Sequence, residues 1–161
     1  MFFALIFVVS ARVLPNFVSL AEREHLLARV DGGPWELGRL GTGYEKRVLA
    51  DDPVVDAITE RALAAMGASE SRDWDRYLLR YDAQDRAPEH LDEAPDASSE
   101  HHRLNALIQA GQGGRFVLEG EVIELQVGDA VVFRPDLQPH AVEPMQGGVR
   151  LVFSVGVTLT R

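Results

Sequence analysis

The segment His90-Leu91-Asp92 carries two common metal ligands two positions apart. On a β-strand, residues i and i+2 point to the same face, so His90 and Asp92 can reach one metal ion together. A second imidazole is available from His140, fifty positions further along the chain. These three residues predict a metal site with two imidazole ligands and one carboxylate ligand, with His90 and Asp92 on one strand and His140 on a later strand.

A set of two histidines and one carboxylate occupies one face of an octahedron and leaves the opposite positions open, as in non-haem Fe(II) oxygenases. We expect His90, Asp92 and His140 to be both the metal ligands and the catalytic residues. His101 and His102 lie in a polar segment and are weaker candidates. Of these two, His102 is the alternative to His140 as the third ligand.

Arg150 lies ten positions beyond His140, inside the apolar run Val149–Phe153. A cation within an apolar strand needs a partner, and the planar guanidinium suits two-point binding of a carboxylate. Arg150 is therefore a candidate carboxylate-binding residue. The alternative is an ordinary cation on an edge strand.

The second half of the chain has the pattern of a β-sandwich or barrel. After Trp74, short apolar segments are separated by turn residues at intervals of about ten. The polar segment Glu93–His102 predicts a mobile loop beside the metal site, and such loops can act as lids. The candidate strands are Trp74–Tyr81, Arg103–Gln109, Arg115–Leu118, Val122–Leu125, Ala130–Arg134 and Val149–Thr158.

The first half of the chain combines helical and extended signals. The capping box Ser19-Leu20-Ala21-Glu22 predicts a helix that ends near Val30. Asp52-Pro53 supplies an N-cap followed by proline, and it predicts a second helix that ends near Met66. Between them, Trp35–Leu40 is expected to be extended.

Residues 77–157 resemble the prolyl 4-hydroxylase-like branch of the Fe(II)/2-oxoglutarate dioxygenases. Tyr81 precedes His90 by nine positions, the spacing between the Leu-x-Arg-Tyr strand and the H-x-D motif of that branch. Arg150 follows His140 by ten positions, where the branch has a basic residue. The other matching segments are Leu78-Leu79-Arg80-Tyr81, Arg103-Leu104, Gly113-Gly114-Arg115-Phe116, Gly128-Asp129-Ala130-Val131-Val132-Phe133 and His140-Ala141-Val142-Glu143-Pro144.

This resemblance implies a double-stranded β-helix, the jelly-roll form shared with cupins, preceded by supporting helices. It implies Fe(II) as the cofactor and 2-oxoglutarate and O₂ as co-substrates. Arg150 would anchor the distal carboxylate of 2-oxoglutarate. Tyr81 would either donate a hydrogen bond to that co-substrate or serve as core aromatic packing. The carboxylate of Asp92 favours hydroxylation over halogenation, because halogenases of the wider superfamily have a small residue there. Desaturation and ring formation are the alternative outcomes.

One segment departs from the pattern of the branch. Members often carry a tyrosine or another polar residue on the strand after Arg-Leu, and here that strand reads Asn105-Ala106-Leu107-Ile108-Gln109-Ala110. The resemblance therefore does not define how this strand contacts 2-oxoglutarate.

The chain has 161 residues, the size of one ordinary domain. We expect a helical support region over residues 1–73 and a jelly-roll core with the metal site over residues 74–161. The alternative function is a cupin-like isomerase or small-molecule sensor that binds metal without oxygenase activity. Arg150 discriminates between the two, because such a protein has no need of a carboxylate anchor. A degenerate interaction domain is a third alternative, which the intact ligand set disfavours.

Composition limits the compartment and the partners. The formal net charge of −9 argues against nucleic acid and against a membrane surface as partners. The apolar start Met1–Val9 is expected to be a buried first strand rather than a signal peptide, because no basic segment precedes it. The absence of cysteine fits a reducing, cytoplasmic compartment. The expected substrate is a small molecule, an amino acid or a peptide side chain.

Overall fold

Two antiparallel sheets pack against each other in a computed structural model that describes residues 11–39, 41–94 and 96–160. The strands are β1 (Arg12–Leu14), β2 (Glu36–Leu37), β3 (Glu45–Val48), β4 (Trp74–Tyr81), β5 (Ala87–His90), β6 (Ser99–Gln109), β7 (Gln112–Gly113), β8 (Phe116–Leu118), β9 (Glu121–Ile123), β10 (Ala130–Phe133), β11 (His140–Val142), β12 (Met145–Gly147) and β13 (Arg150–Thr160). The larger sheet has the order β1-β10-β6-β13-β4-β3-β2, and the smaller has the order β5-β11-β8-β9. β7 and β12 form a separate two-stranded ribbon.

Two helices cover the outer face of the larger sheet. Helix α1 (Leu20–Leu27) has the expected capping box at Ser19 and ends before the predicted Val30. Helix α2 (Pro53–Ala65) is capped by Asp52, as predicted. No helix in the described part of the chain is long and apolar enough to cross a membrane.

The main core lies between these helices and the larger sheet. Ile58 and Val55 of α2 are fully buried. They lie in one cluster with residues of the central strands that face the helices, among them Leu104 and Phe153. The period of two along a strand places the intervening residues on the inner face, toward the smaller sheet. A second cluster, Phe116, Leu118, Val131 and Phe133, fills part of the space between the two sheets. The helices therefore fix the larger sheet from outside, while its inner face is left to carry the site.

The polar segment after Asp92 is shorter than expected. β6 begins at Ser99 and pairs with β13 as far as Thr160, so the predicted loop Glu93–His102 is wrong for its last four residues. Cross-strand pairing with a buried central strand outweighs the low strand propensity of this polar segment. Within the predicted extended segment Trp35–Leu40, the described residues 35–39 contain only the two-residue strand β2, and Leu40 lies outside the described residues.

Several short strands have no apolar pattern of their own, and among them β5 and β11 were expected only as the strands that carry His90 and His140. β1, β3, β5 and β11 each have three or four residues, too few for an alternating pattern to stand out. β5 also contains Pro88, which is tolerated because β5 lies at the edge of its sheet. The expected first strand Met1–Val9 lies outside the described residues.

Candidate metal centre

The three predicted ligands come together at one end of the smaller sheet. His90 is the last residue of β5 and His140 is the first residue of β11, and their Cα atoms are direct cross-strand partners. Asp92 follows two residues after His90 and lies beyond the strand, so the expectation that both share a strand is wrong. Instead, the Asp92 N–H donates to the carbonyl of Pro135 at 2.8 Å. One ligand atom from each of the three residues lies within 4.8 Å of the others.

Both imidazoles are oriented by hydrogen bonds from Nδ1 to backbone carbonyls. His90 Nδ1 lies 2.7 Å from the Pro88 carbonyl, and His140 Nδ1 lies 3.0 Å from the Gln138 carbonyl. Because a carbonyl oxygen only accepts, each Nδ1 must carry the hydrogen, which leaves Nε2 with a free lone pair in the neutral ring. The two Nε2 atoms lie 3.5 and 4.0 Å from Oδ1 of Asp92. This arrangement orients a metal ligand in the way known from metal-bound histidines.

The environment of His140 keeps its imidazole neutral. The pKa of His140 is lowered to about 4, mainly by burial; the hydrogen bond to the Gln138 carbonyl opposes this shift, and the neighbouring His90 adds to it. Phe133 packs edge-on against His140, with ring centroids 5.1 Å apart. His140 is therefore ready to bind a cation at neutral pH without losing a proton.

The donor set fits a divalent iron ion. Two neutral imidazoles and one carboxylate are the ligand types that non-haem Fe(II) takes, and three ligands on one side leave coordination positions open. The open side faces a cavity of about 250 Å³ between the two sheets. Its wall includes Tyr77, Tyr81, Arg103, Asn105 and Ser154 from the larger sheet and Phe116, His140 and Val142 from the smaller one.

Arg150 is a buried cation that is not among the residues lining this cavity but neighbours one of them, Tyr81. It is 7% exposed and lies directly across from Tyr81 on neighbouring antiparallel strands. Burial lowers the pKa of Arg150, and its Nε is enclosed without a hydrogen-bond partner. Among residues 11–39, 41–94 and 96–160, no carboxylate forms an ion pair with it. An uncompensated buried charge is costly, so this position is suited to an incoming anion.

Tyr81 is buried in the wall of the cavity next to Arg150. Its ring stacks on Tyr44 with centroids 4.9 Å apart. Burial, followed by the nearby Tyr44, raises the pKa of Tyr81, so its hydroxyl stays protonated and can donate. Core packing by Tyr81 is thus observed, while its hydrogen bond to a co-substrate stays a prediction.

Two arginines contribute to the site without having been predicted to do so. Arg39, in the connection between β2 and β3, donates to Oδ1 of Asp92 at 3.1 Å. Arg103 reaches across β13 to Ser154 at 2.8 Å and to Asp75 at 3.3 Å. Arg103 belongs to a recognised Arg-Leu motif, so its position carried a signal. Arg39 had none, since its contact depends on how a connection folds back over β5.

The other histidines lie apart from the ligand cluster. His102 pairs with Glu100 at 3.2 Å, so the alternative that placed it in the metal site is not supported by the geometry. His101 contacts Arg103 at 3.3 Å. On the strand that departs from the branch pattern, Asn105 lines the cavity and accepts a hydrogen bond from Ser154.

Solved structures share this architecture. The chain superposes on a Pseudomonas putida prolyl-4-hydroxylase with a TM-score of 0.76 and 20% identity, covering 96% of this chain and 94% of that one. It superposes on the viral collagen prolyl hydroxylase of Paramecium Bursaria Chlorella virus-1, in complex with 2-oxoglutarate, with a TM-score of 0.75 and 16% identity. That superposition covers 94% of this chain and 96% of the viral enzyme. For HygX from Streptomyces hygroscopicus with nickel and 2-oxoglutarate bound, the TM-score is 0.71 and the identity is 12%, over 92% of this chain and 82% of HygX. These likenesses confirm the predicted jelly-roll fold.

About half of the sequence matches a known family. No curated protein matches it. Residues 77–155, which run from β4 into β13 and include all three candidate ligands, match the model of the 2OG-Fe(II) oxygenase superfamily. This segment, 79 of the 161 residues, therefore has the sequence pattern of the 2OG-Fe(II) oxygenase superfamily, whose members use Fe(II), 2-oxoglutarate and O₂.

Proposed function

We propose that His90, Asp92 and His140 hold Fe(II), and that the enzyme hydroxylates an unactivated C–H bond. The observation that carries the assignment is that both Nε2 atoms point at the same carboxylate oxygen, with their Nδ1 atoms held by backbone carbonyls. When bound, Fe(II) couples the oxidative decarboxylation of 2-oxoglutarate to the activation of O₂. The protein supplies the ligand geometry and a cavity between the two sheets.

We propose that Arg150 binds the distal carboxylate of 2-oxoglutarate and that Tyr81 donates to it. The buried, unpaired guanidinium supports this role over the cupin-like isomerase or sensor. In such a protein a buried cation at this position would have no compensating ligand. The substrate we propose is a small molecule, an amino acid or a peptide side chain, since the cavity of about 250 Å³ has room for little more than a small molecule or one side chain.

Residues 1–161 are proposed to act as one Fe(II)/2-oxoglutarate dioxygenase domain, with residues 1–73 as the support region and residues 74–161 as the jelly-roll core. The support region also contributes β1, β2 and β3 to the larger sheet. A reducing, cytoplasmic location is proposed from the absence of cysteine. The net charge of −9 supports a substrate other than nucleic acid.

The test is anaerobic addition of Fe(II) and then 2-oxoglutarate to the metal-free protein. We expect a weak visible charge-transfer band that appears only when both are present. Succinate release with a substrate screen would then identify the hydroxylated compound. Failure to form the band, with iron binding intact, would contradict chelation of the iron by 2-oxoglutarate.

A further inference from the structure

The charges in the cavity wall do not balance once a metal ion is bound. The wall contains three cations, Arg39, Lys46 and Arg103, and two carboxylates, Asp75 and Asp92. Arg103 and Asp75 form an ion pair at 3.3 Å and neutralise each other. The charges that remain to be explained are those of Arg39, Lys46 and Asp92.

Arg39 pairs with the same carboxylate oxygen of Asp92 that a bound metal ion would take. Its guanidinium lies 3.1 Å from Oδ1 of Asp92, the oxygen that both histidine Nε2 atoms face. A divalent ion bound at that oxygen cancels the negative charge that attracts Arg39. The side chain of Arg39 is 46% exposed, so it is free to turn toward another anion at the mouth of the cavity.

Lys46 presents a second cation at the same mouth. It lies on β3, with its Nζ 5.1 Å from the centre of the Tyr77 ring, and Tyr77 also lines the cavity. The nearest acidic residue by strand register is Glu36 on β2, its cross-strand partner. Across the described ranges, no carboxylate lies within ion-pair distance of Lys46. Its charge is therefore held by an aromatic face rather than by an acid.

We propose that the enzyme's prime substrate carries a carboxylate, which Arg39 and Lys46 bind at the mouth of the cavity. This inference rests on the proposed function, because it requires a metal ion at Asp92. The proposed attraction for an acid is local to this site. The protein as a whole has a net charge of −9, which by itself would repel an acidic substrate. Binding of the metal and of the acid should be mutually favourable, because the metal releases the guanidinium that the acid needs.

The test measures binding rather than turnover. The protein is loaded with Mn(II) and saturated with 2-oxoglutarate, and uptake of both is verified first. Paramagnetic relaxation of proton signals is then recorded for N-acetylated amino acids and for their matching carboxamides. The acids and amides have nearly the same size, and they differ in charge. For the best-bound acid we expect an affinity roughly ten- to a hundredfold above that of its amide, as charge-assisted hydrogen bonds provide.

Two double variants separate local from overall charge. Arg39→Gln with Lys46→Gln should abolish the preference for acids and leave 2-oxoglutarate binding unchanged. Arg61→Gln with Arg115→Gln removes the same charge from residues paired with Glu22 and Glu143, outside the cavity wall, and should leave the preference intact.

Each contrary result has a distinct meaning. Equal relaxation by acids and amides, or no relaxation by either, would overturn the substrate assignment. Loss of the preference in both double variants would overturn the local site, and weakened 2-oxoglutarate binding in the first would reassign these cations to the co-substrate. A wild-type protein that takes up neither Mn(II) nor 2-oxoglutarate would overturn the proposed function itself.

Discussion

His90 and His140 are direct cross-strand partners, and their ring centroids lie 4.2 Å apart. Opposite residues on paired strands have Cβ atoms about 5 Å apart, so the pairing of β5 with β11 alone brings two metal ligands together. Both imidazole orientations are then fixed by carbonyls two residues upstream in sequence. The sheet thus preorganises two of the three candidate ligands, and Asp92 is added from the segment that follows β5.

His140→Ala should lower the affinity for Fe(II) or Mn(II) by at least ten- to a hundredfold, because it removes one of three protein ligands. Metal titration monitored by calorimetry measures the loss. His102→Ala is the matched control, since His102 pairs with Glu100 and lies outside the ligand cluster. Wild-type metal affinity in the His140 variant would remove this residue from the site.

Arg150→Ala should raise the dissociation constant for 2-oxoglutarate by on the order of a hundredfold or more, because the bound carboxylate loses its buried partner. The variant without ligand should be as stable as the wild type or more so, since it no longer buries an unpaired cation. Thermal unfolding with and without 2-oxoglutarate tests both points, because a ligand at about a hundred times its dissociation constant stabilises by roughly 2.7 kcal/mol.

Arg80→Ala is the control for Arg150. Arg80 precedes Tyr81 on β4, faces the opposite side of the sheet and pairs with Asp82 at 3.1 Å. It should retain the stabilisation by 2-oxoglutarate. Equal stabilisation of both variants would show that the anchor for the distal carboxylate lies elsewhere.

The three candidate ligands and Arg150 could be predicted because their spacing along the chain follows a recognisable order. β4 was predicted with its correct ends because an eight-residue segment rich in aromatic residues and leucine has a strong strand signal. Lys46 could not be predicted, because its approach to the cavity depends on the pairing of β3 with β4. Arg39 could not be predicted either, because its contact with Asp92 depends on the course of the connection between β2 and β3. The strand position of residues 99–102 was missed for a similar reason, since it depends on β13 rather than on local composition.

The cap of α2 predicts a pH dependence of stability. Burial raises the pKa of Asp52, but hydrogen bonds from Val55, His25 and Val54 and the charge of Arg29 outweigh it and lower the pKa to about 2. Because the folded pKa lies below the ordinary value of 3.8, this stabilisation is present above pH 3.8 and is lost as the pH falls through about 2. The difference in urea midpoint between wild type and Asp52→Asn should shrink over that interval.

Asn and Ala at position 52 separate the charge from the cap. Asn can still accept from the N–H groups of Val54 and Val55, whereas Ala cannot. At pH 6 we expect Asp52→Ala to lower the melting temperature by a few degrees more than Asp52→Asn does. A difference between wild type and Asp52→Asn that stays constant from pH 6 to pH 2 would contradict the lowered pKa.

Gly156 determines whether the Arg103–Asp75 ion pair can form. Its Cα is the cross-strand partner of both Asp75 and Arg103, and the two side chains meet over it. A methyl group at position 156 would overlap the Arg103 guanidinium and the Asp75 carboxylate. Gly156→Ala should therefore displace Arg103 from the cavity wall and destabilise the protein by about 1–3 kcal/mol, the usual cost of overpacking.

Chemical denaturation and 2-oxoglutarate titration together test this role of Gly156. Position 156 lies six residues along β13 from Arg150, about 20 Å at the usual rise per residue, so 2-oxoglutarate affinity should be unchanged. Gly147→Ala is the matched strand control, because a methyl group there meets only the end of the flexible Gln112 side chain. If both variants were equally stable, the close approach at Gly156 would not constrain Arg103, and the ion pair would have to form with the methyl group present.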